Sequence, residues 1–161
     1  MMFRGAILVS SILIAFVSAA QGASIAQAEK EPRYPELVEI IHKGVNEFRR
    51  SQGLKPLEVN PIIGAQAQAH SSRMARNGES LSHRGFDLRM KEIGKKLVFR
   101  SAAENVATNF GYEDPGSRAV EGWKNSPGHR KNMLGDFTLT GIGVARTREG
   151  AYYYTQIFLK P

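Results

Sequence analysis

The sequence contains no cysteine among its 161 residues. Disulfide bonds, thiolate metal ligands and thiol nucleophiles are therefore excluded, and an exported domain with this composition has to be stable on its hydrophobic core alone. Hydrophobic residues make up 42% of the chain and charged residues 23%. A chain of this size and composition is typical of one globular domain with a single core.

Common catalytic and nucleotide-binding motifs are also missing. The sequence has no H-E-x-x-H pair, no G-x-S-x-G elbow and no phosphate-binding loop. The segment GIGVARTREG does not match G-x-G-x-x-G and lies in a predicted hairpin. Ser126 is followed by Pro127, so we expect its hydroxyl to cap a helix. These patterns do not favour serine catalysis or dinucleotide binding.

Only the N-terminal region carries a long apolar run. Arg4 precedes GAILVSSILIAFVSAA, and Ala26-Gln27-Ala28 matches a small-residue cleavage site. The run is nearer signal-peptide length than the ~20 residues of a membrane span. We predict a signal peptide over residues 1–28, a short lead-in over 29–35 and one domain over 36–161. An uncleaved N-terminal anchor is the alternative. With cleavage, the protein is secreted or periplasmic and is not an integral membrane protein.

The chain is basic, with a formal net charge of +7. Removal of residues 1–28 takes away one basic group and no acidic group, which leaves 7 − 1 = +6. Export argues against nucleic acid as a partner, and the sequence has no dense Lys/Arg cluster. The charge indicates either a solvated surface or attraction to anionic envelope polymers and lipid head groups. We expect a monomer.

Apolar periodicity predicts helices through most of the domain. Leu37, Ile41, Val45 and Phe48 recur at helical spacing in a helix over 36–51. Asn60 and Pro61 begin a second helix that ends near residue 76. Further helices are predicted over 87–95, 116–125 and 126–134. The stretch 97–110 is ambiguous, either irregular or a short strand near Glu104.

The C-terminal region changes to strand periodicity. LTGIGVART and AYYYTQIFLK flank Arg-Glu-Gly, which indicates a β-hairpin. The second strand is apolar or aromatic on both faces, so both faces should be covered. The predicted fold is α+β, with helices on both faces of a small, mostly antiparallel sheet.

Three side chains stand out as candidates for chemistry. Glu104 is a carboxylate in an apolar segment, where a charge needs a partner. His83 lies in a loop, and His129 lies in the first turn of a helix, where the positive potential disfavours imidazolium. His83 and His129 are too far apart in the sequence for a local metal-ligand motif, so only the fold could assemble a metal site. Structural, hydrogen-bonded histidines are the alternative.

Six ordered segments resemble the CAP superfamily, the SCP-like extracellular domains of cysteine-rich secretory and pathogenesis-related proteins. The segments are VNEFRRSQGLKPL, AQAHSSRMARNGESLSH, AENVA, AVEGWKNSPGHRKNML, TGIGVA and YYYTQIF. They are most similar to the bacterial, cysteine-free branch. The resemblance implies a three-layer α-β-α sandwich with a cleft of two histidines and two acids. His83, Glu104 and His129 match three of these positions, whereas Ser126 occupies the fourth.

The resemblance implies two kinds of function. The first is a non-enzymatic binding module whose cleft, formed by His83, Glu104, Ser126 and His129, engages an envelope polymer, a lipid or a protein. Zn²⁺ or another divalent metal is a possible cofactor, with His83 and His129 as its ligands. The alternative is a metal-dependent, peptidase-like hydrolase that uses His83, Glu104 and His129. A structural role for a buried polar network is a third interpretation.

Overall fold

The computed structural model describes residues 34–77 and 80–161. The predicted signal peptide and residues 29–33 of the predicted lead-in lie outside these ranges. Along the described chain the elements are α1 (Pro35–Ser51), β1 (Glu58–Val59), α2 (Pro61–Asn77), α3 (Phe86–Gly94), β2 (Ser101–Asn109), α4 (Pro115–Asn125), α5 (Pro127–Met133), β3 (Leu139–Arg146) and β4 (Tyr152–Lys160). No helix within the described ranges has the length and apolar character that crossing a membrane requires.

The four strands form one sheet in the order β1-β3-β4-β2. β4 pairs antiparallel with β3 on one side and with β2 on the other, and β1 adds a short parallel pairing to β3. β2 is therefore an edge strand. The sheet is mostly antiparallel, as predicted.

Helices cover both faces of this sheet. One core cluster joins α1, α4 and α5 to Val144, Tyr154 and Phe158, whereas the other joins α2 and α3 to Ile157 and Leu159. The alternation of β4 side chains between two buried faces follows from its period of two residues. The α-β-α sandwich is thereby confirmed, and Trp123 lies in its core.

Two glycines let α2 lie directly on β3. A Cβ atom at Gly141 would lie 2.2 Å from the backbone nitrogen of Gly64, and one at Gly143 would lie 2.2 Å from that of Gln68. A residue with a Cβ atom therefore cannot replace either glycine unless the backbone of α2 moves away from β3. The TGIGVA segment thus serves helix–sheet packing, and α2 carries the residues that support the site.

Two segments outside the predicted hairpin also form strands. The segment between α1 and α2, for which the sequence predicts no strand, contains β1, where Glu58 and Val59 pair with Leu139 and Thr140. The ambiguous stretch 97–110 contains the nine-residue strand β2, whose register with β4 runs without interruption. Neither pairing can be read locally, because each partner strand lies far along the chain.

Candidate functional site

A buried ion pair lies at the base of the site. Glu104 on β2 faces α2 and α3, and its side chain is 1% exposed. The Arg89 Nε donates to Glu104 Oε2 at 2.8 Å, and a terminal guanidinium nitrogen donates to the same carboxylate at 2.7 Å. Burial lowers the pKa of Arg89, and the adjacent carboxylate opposes that shift. The need of Glu104 for a partner is confirmed, and the partner is Arg89.

His83 takes its orientation from the same carboxylate. Its Nδ1 lies 3.0 Å from Glu104 Oε1, and its side chain is 54% exposed. Because the carboxylate accepts, Nδ1 carries the proton and Nε2 retains a lone pair when the ring is neutral. The pair therefore presents an imidazole ring that is fixed in orientation and accessible at Nε2.

Two further side chains, together with Arg89, hold the loop that carries His83. The Nε2 of buried His70 lies 2.8 Å from the Ser82 carbonyl oxygen, and His70 Nδ1 lies 2.7 Å from an Arg73 nitrogen. Arg73 and Arg89 also donate to the Arg84 carbonyl at 3.2 and 3.0 Å. The carbonyl can only accept and the guanidinium can only donate, so His70 is neutral with its proton on Nε2. Burial lowers the pKa of His70 accordingly.

His129 reaches the site from the opposite helical layer. Its backbone carbonyl accepts from Asn105 Nδ2 at 3.1 Å, and Asn132 donates to Asn105 Oδ1 at 2.9 Å and to the Glu104 carbonyl at 3.2 Å. These bonds fix α5 to β2. The pKa of His129 is lowered first by burial and then by repulsion from His83. The pKa of His129 is thus shifted in the predicted direction, but the causes are burial and His83 rather than the helix N-terminus.

Ser126 begins α5, as predicted, but its side chain makes no capping hydrogen bond. This prediction was wrong. Ser126 also ends α4, where its backbone N–H bonds to the Trp123 carbonyl, and its side chain lines the groove next to His129. The hydroxyl is therefore positioned by the junction of two helices.

A groove of about 520 Å³ extends from His129 along β2 and α4. Exposed apolar side chains, Leu81, Phe110 and Tyr112, line it. Its inner wall includes Val106, Thr108, Ala119, Gly122 and Trp123. Such concentration of exposed apolar surface in one concavity is typical of a ligand site.

Glu121, which is near Ser126 in the sequence, does not supply the acid that is missing at the Ser126 position. Its carboxylate accepts from Lys124 and Asn125 at 2.9 and 2.8 Å, and it lines a separate depression between α1 and α4. The site thus brings together His83 and Glu104 in direct contact, with His129 and Ser126 at the adjoining groove.

Sequence reasoning missed His70, Arg73 and Arg89 as members of this network. Only the demand of Glu104 for a cation could have pointed to an arginine, and several arginines satisfy that demand equally well in the sequence. Their roles depend on the packing of α2 and α3 against β2.

The donor set does not fit a three-ligand metal centre. Across residues 34–77 and 80–161, no three His, Cys, Asp or Glu side chains are grouped so that they could hold a metal ion. Both oxygens of Glu104 are engaged by Arg89 and His83. Only the two imidazoles remain as donors, whereas catalytic zinc sites use three protein ligands.

Comparison with known proteins identifies relatives of this architecture. The sequence profile described as "Cysteine-rich secretory protein family" (CAP) matches residues 42–158. The uncharacterized membrane protein YlbC of Bacillus subtilis is 39% identical over 118 residues, which cover 71% of this chain and 32% of YlbC. The chain thus spans about a third of that relative's length.

Solved structures support the same fold. An outer surface protein of Borrelia burgdorferi matches with a TM-score of 0.67 and 23% identity, covering 78% of this chain and 92% of that one. An extracellular SCP-domain protein of Bacillus anthracis matches with a TM-score of 0.63 and 30% identity, covering 79% and 41%.

Proposed function

Because this chain belongs to the cysteine-rich secretory protein family (CAP), we propose that it is exported and acts as a non-enzymatic binding module of the cell envelope. Its ligand, an envelope polymer, lipid or protein, occupies the cleft at His83, Ser126 and His129. Relatives described as an outer surface protein and an extracellular protein support the export. The apolar run before residue 28 is consistent with it.

One observation carries the proposal. The Glu104 carboxylate is sealed from solvent by Arg89, while the imidazole that it orients is half exposed. A general base has to reach the proton that it removes, directly or through one water. A sealed carboxylate that already accepts hydrogen bonds on both oxygens is suited to orienting His83. The accessible Nε2 of the oriented His83 ring is suited to hydrogen-bonding a ligand.

The hydrolase alternative has less support from this geometry. It needs Glu104 as a metal ligand or base, and both carboxylate oxygens already accept short hydrogen bonds. Serine catalysis would need a histidine on the Ser126 hydroxyl, and no such hydrogen bond is present within the described ranges. Binding therefore remains the function that the arrangement supports best.

Native mass spectrometry of the full chain purified from its own envelope fraction tests the proposal. We expect a retained mass on the wild type that is lost from the His83→Ala/His129→Ala double variant. His42→Gln, which alters a histidine on α1, is the matched control and should keep the mass. Equal retention by the double variant would contradict the proposal. Peptide or ester cleavage that His129→Ala abolishes in a folded protein would also contradict it.

A further inference from the structure

The groove beside His129 follows the outer edge of β2, the edge strand of the sheet. The Glu104 and Val106 carbonyls accept from side chains of α5 and α4, at 3.2 Å from Asn132 and 3.1 Å from Trp123. These carbonyls therefore point away from β4. Alternate residues of a strand direct their N–H and C=O groups to the same edge. Thr108, the next such residue, directs its N–H and C=O into the groove.

At Thr108 the wall of the groove is formed by backbone N–H and C=O groups that are unpaired within the described residues. Within residues 34–77 and 80–161 no side chain or loop bonds to the Thr108 N–H or C=O, and Thr108 itself is exposed. The Thr108 hydroxyl donates to the Tyr152 carbonyl at 2.8 Å, so the side chain is occupied within the sheet. An unpaired strand edge is a template for another extended chain.

Space for side chains lies on both sides of this edge. On the α4 side, a Cβ atom built at Gly122 meets no atom within 4 Å, and Ala119 is also small. On the side of the edge away from α4, Leu81 lines the groove, and Phe110 lines it just beyond the end of β2. An added strand places alternate side chains on opposite faces, which is the division that this groove offers.

We propose that the groove binds an extended peptide segment as an additional strand on β2, with apolar side chains at alternate positions. The stretch from Val106 to Phe110 has the length of four to five strand residues, since a strand rises about 3.3 Å per residue, and Thr108 supplies the N–H and C=O that pair with the peptide. A lipid chain would fill the apolar surface but would leave the Thr108 backbone groups unpaired. The proposal rests on the binding function proposed above and names the class of ligand.

Selection from a displayed library of random hexapeptides, followed by fluorescence anisotropy of the best binder on the full chain, tests this inference. Thr108→Pro removes the outward N–H, and proline is tolerated on an edge strand where that N–H makes no ladder bond. We expect at least a tenfold loss of affinity. Thr108→Val is the matched control: it removes the hydroxyl but keeps the N–H, and should bind within about threefold of the wild type.

A second pair of variants keeps the test decisive if Thr108→Pro does not fold. A Cβ atom at Gly122 meets no atom within 4 Å, so Gly122→Leu should place its side chain in the groove and weaken the peptide at least tenfold, whereas Gly122→Ala should not. Failure to select any peptide that Gly122→Leu or Thr108→Pro weakens would overturn the inference. Binding of a fluorescent fatty acid that Gly122→Leu blocks, with no peptide selected, would overturn it in favour of a lipid.

The two proposals fail in different ways. If the selected peptide binds the His83→Ala/His129→Ala variant as well as the wild type, and that variant also keeps its envelope mass, the groove proposal stands and the histidine cleft fails. If the envelope mass depends on the histidines but no hexapeptide binds, the strand-addition inference alone fails.

Discussion

At the scale of single residues, the site contains two kinds of side chain. Buried side chains hold the site in place, and exposed side chains are available to a ligand. Arg89, Glu104 and His70 are buried, whereas the His83 side chain is 54% exposed. Burial of charge is costly unless each group is paired and hydrogen-bonded. The buried members should therefore control stability, and the exposed imidazole should not.

Arg89→Ala should destabilise the protein strongly. It leaves the Glu104 carboxylate buried without its cation, and removal of one member of a buried pair costs about 3–5 kcal/mol. Chemical denaturation measures the loss. Lys91→Ala, on the exposed side of the same helix, is the matched control and should change the free energy of unfolding by less than about 0.5 kcal/mol. A loss below about 1 kcal/mol for Arg89→Ala would refute the supporting role.

The lowered pKa of His70 predicts a pH dependence of stability. The unfolded chain binds a proton on this ring below its ordinary value of about 6.5, whereas the folded protein keeps the ring neutral. Stability from this group is therefore complete above about pH 6.5 and is lost as the pH falls through the lowered value. Unfolding free energies between pH 7 and 5.5 should decline less steeply in His70→Gln, which keeps a donor for the Ser82 carbonyl. Parallel slopes would contradict the assignment.

At the scale of elements, the site depends on how closely α2 and α3 approach the sheet. α2 supplies His70 and Arg73, α3 supplies Arg89, and β2 supplies Glu104, so a shift of α2 separates the network. The approach of α2 is set by backbone contact at Gly141 and Gly143 rather than by interlocking side chains.

Gly143→Ala should therefore disturb both fold and site. The new methyl group would overlap the backbone of Ala67 and Gln68, which cannot move as a flexible side chain does. We expect a loss of about 3 kcal/mol or more, measured by thermal or chemical unfolding. Gly122→Ala meets open space and should be neutral or slightly stabilising. If both variants unfold alike, the close packing of α2 does not limit stability.

The elements also show where sequence patterns succeed and where they stop. The apolar spacing of α1 and the Asn60 cap of α2 are local signals, and the structure confirms both: Asn60 Oδ1 accepts from the Ile62 N–H at 2.9 Å. β1 and β2 depend on partner strands far along the chain. The Arg89–Glu104 pair joins α3 to β2, and no local sequence pattern predicts how these two elements pack. The sequence therefore predicted that Glu104 needs a partner but did not identify Arg89.

At the scale of the whole molecule, two helical layers meet at the groove. The α2–α3 layer supports the loop of His83, and the α4–α5 layer carries His129 and Ser126, with the edge of β2 between them. Ordered motifs across the chain predicted this sandwich correctly. Two features depend on the assembled layers and could not be predicted locally. The Ser126 side chain makes no capping hydrogen bond, and the Thr108 N–H and C=O have no partner within the described residues.

Stability of the whole domain should not depend on metal. Because the described residues contain no three-ligand cluster, EDTA should leave the melting temperature of the full chain within about 1 °C of its untreated value. Differential scanning calorimetry with and without the chelator measures this. A fall of several degrees that zinc reverses would show that a metal is part of the folded structure.

The most direct measurement is the ¹⁵N NMR spectrum of the histidine rings, recorded at pH 7 on the full chain with its retained envelope ligand and again after the ligand is stripped. A binding cleft at His83 and His129 predicts that their ring nitrogens shift on stripping. Those of His70, buried in the supporting network, should stay in place. Unchanged His83 and His129 signals, or an equal shift of His70, would contradict the cleft as the binding site.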